Sequence, residues 1–528
     1  MARWAQPKMQ REQVTLFSPT LDAMIGDDHP VRLFDELLST CDWSAWENHY
    51  CLVHGQPPIH PRIVAGVILY DLARGMRSSR TLEYMLTTNI DFMWLAEGRK
   101  IDHSTICKFR TQFKRELKQL FKDLFAVAMR AGLASLETVA LDATRVKANS
   151  SRHETATAAT LSERLAALDE RIEQMLAEAE QADAAESGLY GVIPTDKLPP
   201  DLADAKKRRQ RLTTAIAAAK ARDESPKAKT KARKGDKPKP AAVPVADPES
   251  KVLPNKEGGF APNYTPTATV EGQSGFIADA DVLPGGEYSH HAVETIDRIE
   301  ESFDQKPKQM LADSAYDSGQ TLAGLDKRDV EAFIPFKHRG DTSESDNPAV
   351  RDDPTQPVPQ ADWDKLPRGY RDGKLDRTAF VYDEQIDCYY CPMGRKLEFW
   401  RYHNRANATQ PVRARYYQCA GGDCPLADQC TSSKSGRRSV SHDDSEHHRQ
   451  AMDSRMGSDR GRKIYAQRKW IAETPFGLIK RRMGLRQFLL RGLEKVRAEW
   501  LWACTAFNLA KLVRNVGAVR AHLATING

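Results

Sequence analysis

The chain has 528 residues, with 78 Lys and Arg against 72 Asp and Glu, for a formal net charge of +6. That length is too great for a single core and predicts two or three domains, and no run of eighteen apolar residues is present to form a membrane-spanning helix. The opening stretch, Met1-Ala-Arg-Trp-Ala-Gln-Pro-Lys8, lacks the apolar centre of a secretory signal, so a cytoplasmic protein is expected.

Residues 1–135 read as all-helical. Pro61 to Leu72 has helical apolar spacing, Gly75 and Arg77 to Arg80 punctuate it, and Thr81 starts another helix. Asp102-His-Ser-Thr105 then caps a basic helix, Ile106 to Arg115, by satisfying its free backbone N–H groups. Short helices ending in a basic one have the outline of a helix-turn-helix, whose last helix enters a major groove. That reading places Lys108 and Arg110 against DNA; the alternative is a helical bundle with a solvated basic face.

A short apolar run, Val139 to Leu141, reads as a buried strand ending in Asp142. From 151 to 251 the pattern changes. Leu161, Leu165, Leu168, Ile172 and Met175 recur at heptad spacing, Tyr190 to Pro200 is turn-rich, and Leu202 to Ala221 is helical again, which together predict a helical hairpin. Lys227 to Pro240, rich in Lys, Pro and Ala, reads as a solvated linker. From 252 to 340 the sheet resumes. Asn263 to Val270 and Gly275 to Val282 pair across Gly272-Gln-Ser-Gly275, His290 to Phe303 is an amphipathic helix, and Met310 to Ala312 and Ala332 to Phe336 are short strands. Met310 to Ala312 again ends in an acid, Asp313. Strand ends are where open α/β sheets place their chemistry, and the repetition singles out both acids.

Nine cysteines are unevenly spread. Cys41, Cys51, Cys107 and Cys504 are scattered and read as small apolar residues. Cys388, Cys391, Cys419, Cys424 and Cys430 cluster within the segment 341–455. In a reducing compartment such a cluster points to a metal rather than to disulfides. Cys391-Pro-Met-Gly and Cys424-Pro-Leu-Ala-Asp-Gln-Cys430 put thiols on tight turns, as four-coordinate zinc requires. Four ligands suffice, and spacing alone allows a set that uses the Cys388-x2-Cys391 pair.

The last segment, 456–528, carries helices. Between Gly461 and Arg497 stand eleven Lys and Arg against two Glu. Such a surface suits a polyanion, because neutralising phosphates releases counterions. The acid Glu473 within it would repel phosphate unless a cation stood between them, which suggests a metal-binding carboxylate facing a nucleic-acid backbone. Tyr465 and Arg468 are three apart on one helical face, and Lys480 lies seven residues beyond Glu473, two turns on. Pro475 requires either a bend or a second helix capped by Thr474. Trp500 to Val513 is a closing apolar helix.

Tyr465-x2-Arg468-x4-Glu473-x6-Lys480 resembles the signature around the catalytic glutamate of bacterial insertion-sequence transposases of the Asp-Asp-Glu (DDE) type. Leu141-Asp-Ala-Thr-Arg-Val-Lys-Ala-Asn-Ser resembles their first-Asp motif, with Ala143 where Gly is usual; some branches place three residues rather than four between the Arg and the Glu. The likeness runs through nearly the whole chain apart from roughly 151–251. It implies an α/β ribonuclease-H-like core built from 136–150 and 252–340, an all-helical N-terminal DNA-binding domain over 1–135, a helical-hairpin insertion over 151–251, a cysteine-rich insertion over 341–455, and C-terminal helices with the catalytic Glu. Asp142, Asp313 and Glu473 would be the catalytic triad and would hold two Mg²⁺ (or Mn²⁺), Asp142 bridging both. Tyr465, Arg468, Lys480, Arg481 and Arg482 would meet DNA. The family pattern of a single Cys before Pro-x-Gly favours Cys391, Cys419, Cys424 and Cys430 for a structural Zn²⁺. The implied activity is metal-dependent cleavage at element ends and strand transfer into target DNA, by a homodimer or larger assembly at the nucleoid. A nuclease without the transfer step and a non-catalytic DNA-binding relic are the alternatives.

Overall fold

The computed structural model describes residues 20–50, 57–190, 200–225, 240–255, 258–286, 289–335, 347–369, 372–405 and 412–527. The proposed linker over 227–240, the break at 190–200 and the end of the strand drawn to Phe336 lie largely outside these residues. The chain divides into two compact units. One takes Met1–Gly132 with Leu478–Leu485 and Leu501–Gly528; the other takes Leu133–Gly477 with Arg486–Trp500. Among the described residues no helix is long and apolar enough to cross a membrane.

The first unit is helical: α1 Pro30–Ser39, α2 Pro61–Ala73, α3 Ser79–Thr88, α4 Ile90–Leu95, α5 His103–Gln112 and α6 Lys114–Arg130. Helix α2 is buried almost all round, as its near-continuous apolar sequence dictates. The carboxylate of Asp102 accepts hydrogen bonds from the backbone N–H groups of Ser104 and Thr105, so α5 begins where the sequence places its cap. The basic helix stops short of Arg115, because Phe113 leaves helical geometry (φ −98°, ψ 60°) and α6 starts afresh at Lys114. Phe113 is drawn instead into an aromatic core around Trp46, with Phe109 and Trp502.

The second unit holds a sheet whose central strands are β1 Thr138–Ala143, β2 Phe260–Glu271, β3 Ile277–Leu283, β4 Gln309–Ala312 and β5 Glu331–Phe333. Their order is β3-β2-β1-β4-β5. β2 runs antiparallel to both β1 and β3, while β4 is parallel to β1 and β5 parallel to β4. Two short strands, Val146–Lys147 and Lys251–Pro254, extend the pairing along the first half of β2. This mixed α/β arrangement fits a ribonuclease-H-like core. The β2–β3 turn is closed by the Glu271 carboxylate, which accepts N–H bonds from Gln273, Ser274 and Phe276.

Helices α7 Ala158–Tyr190 and α8 Pro200–Glu224 form a hairpin between β1 and β2, with Leu161, Leu212, Ala215 and Ala219 in its seam. α9 His291–Phe303 buries Ala292, Thr295, Ile296 and Ile299 against the sheet layer, and α10 Gly319–Asp326 links β4 to β5. The cysteine-bearing segment forms a second sheet, β6 Val381–Asp383, β7 Cys388–Tyr390, β8 Lys396–Arg405, β9 Val412–Cys419 and β10 Ser439–His442, an antiparallel meander in sequence order. α11 Glu446–Gly457, α12 Asp459–Ala466, α13 Arg468–Arg481, α14 Leu493–Arg514 and α15 Val516–Asn527 follow.

Candidate active site

The first two acids stand side by side. β1 and β4 pair in parallel with Leu141 opposite Ala312, so Asp142 and Asp313 each follow the last paired residue at the same end of adjacent strands. The residues before them, Val139 to Leu141 and Met310 to Ala312, are fully buried, which fixes both strand ends. Asp142 Oδ1 accepts a hydrogen bond from the Ala143 N–H at 2.8 Å. Asp313 Oδ1 accepts one from the Ala315 N–H at 2.9 Å and so caps the single turn Ser314–Tyr316.

Helices α12 and α13 bring Tyr465 and Arg468 to this pair. Arg468 Nη1 lies 3.6 Å from Asp142 Oδ2, and its guanidinium sits 5.9 Å from the centre of the Tyr465 ring. Burial raises the Tyr465 phenol above its ordinary pKa; Arg468 opposes this, and the negative charges of Asp313 and Asp142 add to it. Four residues named from sequence therefore share one neighbourhood: Asp142, Asp313, Tyr465 and Arg468. A one-residue break at Gln467 separates α12 from α13, so Tyr465 and Arg468 belong to successive helices rather than to one.

Glu473 lies on the exposed side of α13. The opposite side anchors the helix through Ile471, Ala472 and Phe476, all buried. Phe476 stacks on Trp500 at 5.8 Å, and the Trp500 indole N–H donates to the Thr267 carbonyl of β2. Among the described residues no group of three or more His, Cys, Asp or Glu side chains is arranged to hold a metal ion, so Glu473 is not drawn onto the Asp142–Asp313 pair. Of the two arrangements open at Pro475, the chain takes the single helix: α13 runs through the proline.

Lys480, Arg481 and Arg482 follow in the part of α13 assigned to the helical unit, the first half-buried and the other two exposed. Lys108 is exposed on α5. Arg110 is turned inward: its guanidinium donates to the Arg77 carbonyl at 2.7 Å and reaches the fully buried Asp71 carboxylate at 3.2 Å. A side chain so committed braces the helices and is not presented to a groove. The signal for this lay in Asp71, a lone acid in the apolar run Ile63 to Leu72 that demands a buried cation.

Cys391, Cys419, Cys424 and Cys430 meet around one small core that includes Tyr389, Leu397 and Leu426. Cys391 Sγ accepts N–H bonds from Met393 and Arg395, and Cys419 Sγ accepts one from Arg438 at 3.2 Å. The Cys391 turn needs Gly394: its φ is +70° and a Cβ there would lie 2.0 Å from the Thr355 carbonyl oxygen. Burial pushes the Cys430 thiol up to about 12, with the other three thiols adding and Arg438 opposing. Cys388 is buried beside Lys396 and Asp383 instead.

Two family descriptions match the chain. "Transposase domain (DUF772)" covers residues 19–112 and includes Lys108 and Arg110. "Transposase DDE domain" covers residues 390–513 and includes the four converging cysteines, Tyr465, Arg468, Glu473 and Lys480. No curated protein matches the chain. Transposase-domain matches towards both ends, with two acids on neighbouring strand ends between them, support an insertion-sequence DDE transposase.

Proposed function

We propose that the protein catalyses metal-dependent cleavage of DNA at the ends of its element and joins those ends to target DNA. The observation that carries this reading is the pairing of Leu141 with Ala312, which sets Asp142 beside Asp313. Two carboxylates at one sheet edge are a hard-oxygen donor set that suits Mg²⁺ or Mn²⁺, and DDE transposases as a class depend on a divalent metal. Asp142, Asp313 and Glu473 would hold the ions, with Glu473 brought in by movement of α13. The metal supplies Lewis-acid stabilisation of charge on the phosphodiester oxygens.

The remaining work belongs to the chain. Asp142 and Asp313 are each held at Oδ1 by a backbone N–H bond, so their carboxylates meet the reacting phosphate already oriented. A water in line with the scissile P–O bond gives hydrolysis; a 3′-hydroxyl in the same line gives transfer, and the protein need only hold either one there. Arg468 leaves Asp142 when DNA enters and meets a phosphate oxygen, for which its fork geometry is suited. Lys480, Arg481 and Arg482 add point charges along the backbone, and Lys108 serves the element-end contact. Two ends must be joined in one event, so the active form is a dimer or larger assembly on DNA, at the nucleoid.

The cysteines have a separate place in this reading. Cys391, Cys419, Cys424 and Cys430 would hold a structural zinc as an all-thiolate set. Burial raises the Cys391 thiol above its ordinary value, and the N–H bonds from Arg395 and Met393 oppose this.

The test is a cleavage and strand-transfer assay in Mg²⁺ on duplexes carrying the element's flanking ends, with Asp313→Asn and Glu473→Gln as comparisons. Cleaved and joined products from the native protein, each reduced about a hundredfold or more in both variants, are expected. Cleavage without joining would replace this reading with a nuclease. Binding without cleavage in the native protein would replace it with a DNA-binding relic.

A further inference from the structure

The second sheet treats its aromatic residues in two ways. Tyr389 and Tyr417 are buried in its core, but three large aromatics of β8 are not: Phe399 is 43%, Trp400 47% and Tyr402 45% exposed. A break in register explains the departure. Phe399 pairs with Tyr417 and Arg401 with Tyr416, so Trp400 is an extra residue with no cross-strand partner. Such a bulge twists the strand and re-aims side chains that strict alternation would bury. Phe399 and Tyr402 come to lie 4.9 Å apart as a result.

The exposed rings carry cations. The Arg401 guanidinium sits 4.0 Å from the centre of the Trp400 ring, and that of Arg413, from β9, sits 3.7 Å from the centre of the Tyr402 ring. Along β8 and β9 the sequence has Lys396, Arg401, Arg405, Arg413 and Arg415 against one acid, Glu398. An apolar partner would desolvate Arg401 and Arg413 without giving them an acid, and an acidic peptide has no use for three rings. A partner with flat apolar faces and a regular negative charge satisfies both at once. Unpaired DNA has that chemistry. A duplex hides its base faces within the stack and offers only edges and phosphates.

We propose that the bulged strand pair β8–β9 is a binding surface for unpaired DNA. Bases stack on Trp400 and Tyr402, each ring backed by its arginine, and phosphates meet Arg401 and Arg413. The choice of DNA over RNA rests on the transposase reading; the surface itself does not. Its place in the reaction is the strand freed when an element end is cut or opened.

The full-length protein is titrated without added Mg²⁺ or Mn²⁺ and without chelator, so that no cleavage occurs and the cysteine cluster is left intact, against a labelled oligo-dT of about twenty nucleotides and against the duplex of the same length. Fluorescence anisotropy reads both. Trp400→Ala/Tyr402→Ala should weaken oligo-dT binding about tenfold or more while duplex binding changes less than about twofold, and Trp400→Phe should keep most of the affinity. Unchanged oligo-dT binding, or an equal loss on duplex, overturns the proposal. Oxidative footprinting of the native protein gives a second reading that needs no variant: oligo-dT should protect Trp400, and unprotected Trp400 at saturation overturns it. Because leaving out Mg²⁺ and Mn²⁺ removes catalysis, a protein that fails to cut element ends can still pass this test, and the reverse.

Discussion

Arg468 Nη1 stands 3.6 Å from Asp142 Oδ2, with both side chains less than a fifth exposed. That nitrogen is buried and makes no hydrogen bond of its own, so its attraction to Asp142 is one of charge. Two carboxylates on neighbouring strand ends need a counter-charge, and Arg468 provides it before any metal does. Metal and arginine therefore compete for Asp142. Arg468→Gln should tighten Mn²⁺ binding in the absence of DNA by about fivefold, the equivalent of about 1 kcal/mol for a partly exposed pair, while weakening binding of element-end DNA. Electron paramagnetic resonance of free Mn²⁺ measures the first effect. An unchanged Mn²⁺ affinity would remove the competition from the mechanism.

Asp71 and Arg110 give the helical unit a pH dependence. Burial pushes the Asp71 carboxyl up to about 7 from an ordinary 3.8, against the pull of Arg110. The folded-state value is raised, so the folded state holds its proton more tightly than the unfolded chain. The associated stability is complete below about pH 4 and is lost as the pH rises through about 7. Asp71→Asn should flatten the fall in melting temperature that the native protein shows between pH 5 and pH 8. Arg110→Ala leaves the acid buried without its cation and should cost about 3 kcal/mol or more at pH 8. If Arg110→Ala instead keeps full stability and loses only DNA affinity, the residue points at DNA after all.

The contrast between Arg110 and Asp142 shows what kind of information the sequence carries. A buried strand announces itself by three consecutive apolar residues, and the acid after it must emerge at the strand end, so Asp142 and Asp313 could be placed before their pairing was known. The helix cap at Asp102 is equally local. Arg110 is decided by Asp71, 39 residues earlier, and no local pattern joins them. The second sheet was illegible for another reason. β8 reads Lys-Leu-Glu-Phe-Trp-Arg-Tyr-His-Asn-Arg, and the bulge at Trp400 destroys the period of two by which a strand is recognised. Glu473 was assignable to a helix from its neighbours, but no local pattern fixes where that helix packs relative to the strands that end in Asp142 and Asp313.

The four converging cysteines separate a metal site from a thiol-lined core by content rather than by activity. Protein purified without chelator should carry about one zinc per chain, lost in Cys424→Ser or Cys430→Ser and retained in Cys388→Ser, whose neighbours are Lys396 and Asp383 rather than thiols. Elemental analysis and release of zinc to a chromogenic chelator measure this. A full complement of zinc in Cys424→Ser together with its loss in Cys388→Ser would transfer the site to the Cys388-x2-Cys391 pair. Zinc-free protein of native stability would make the thiols ordinary core residues.

Pro475 lies inside α13, two residues after Glu473. Lacking an N–H, it leaves the Ile471 carbonyl without its helical donor, and its ring crowds that same turn. One residue earlier the Thr474 hydroxyl donates to the Trp470 carbonyl at 2.6 Å, a bond that also bends helices. Both distortions fall on the turns around Glu473, while Phe476 stays stacked on Trp500. A helix anchored on one side and weakened at this point can swing its exposed acid without leaving the sheet. Pro475→Ala restores the missing donor and should stabilise the protein by up to about 3 kcal/mol, read as a higher melting temperature. The same change should slow cleavage, because a straighter, stiffer α13 carries Glu473 less readily toward Asp142 and Asp313. A variant that is no more stable than the native protein would show the bend to be built into the packing on Trp500. A variant both more stable and fully active would show that Glu473 reaches the other two acids without it.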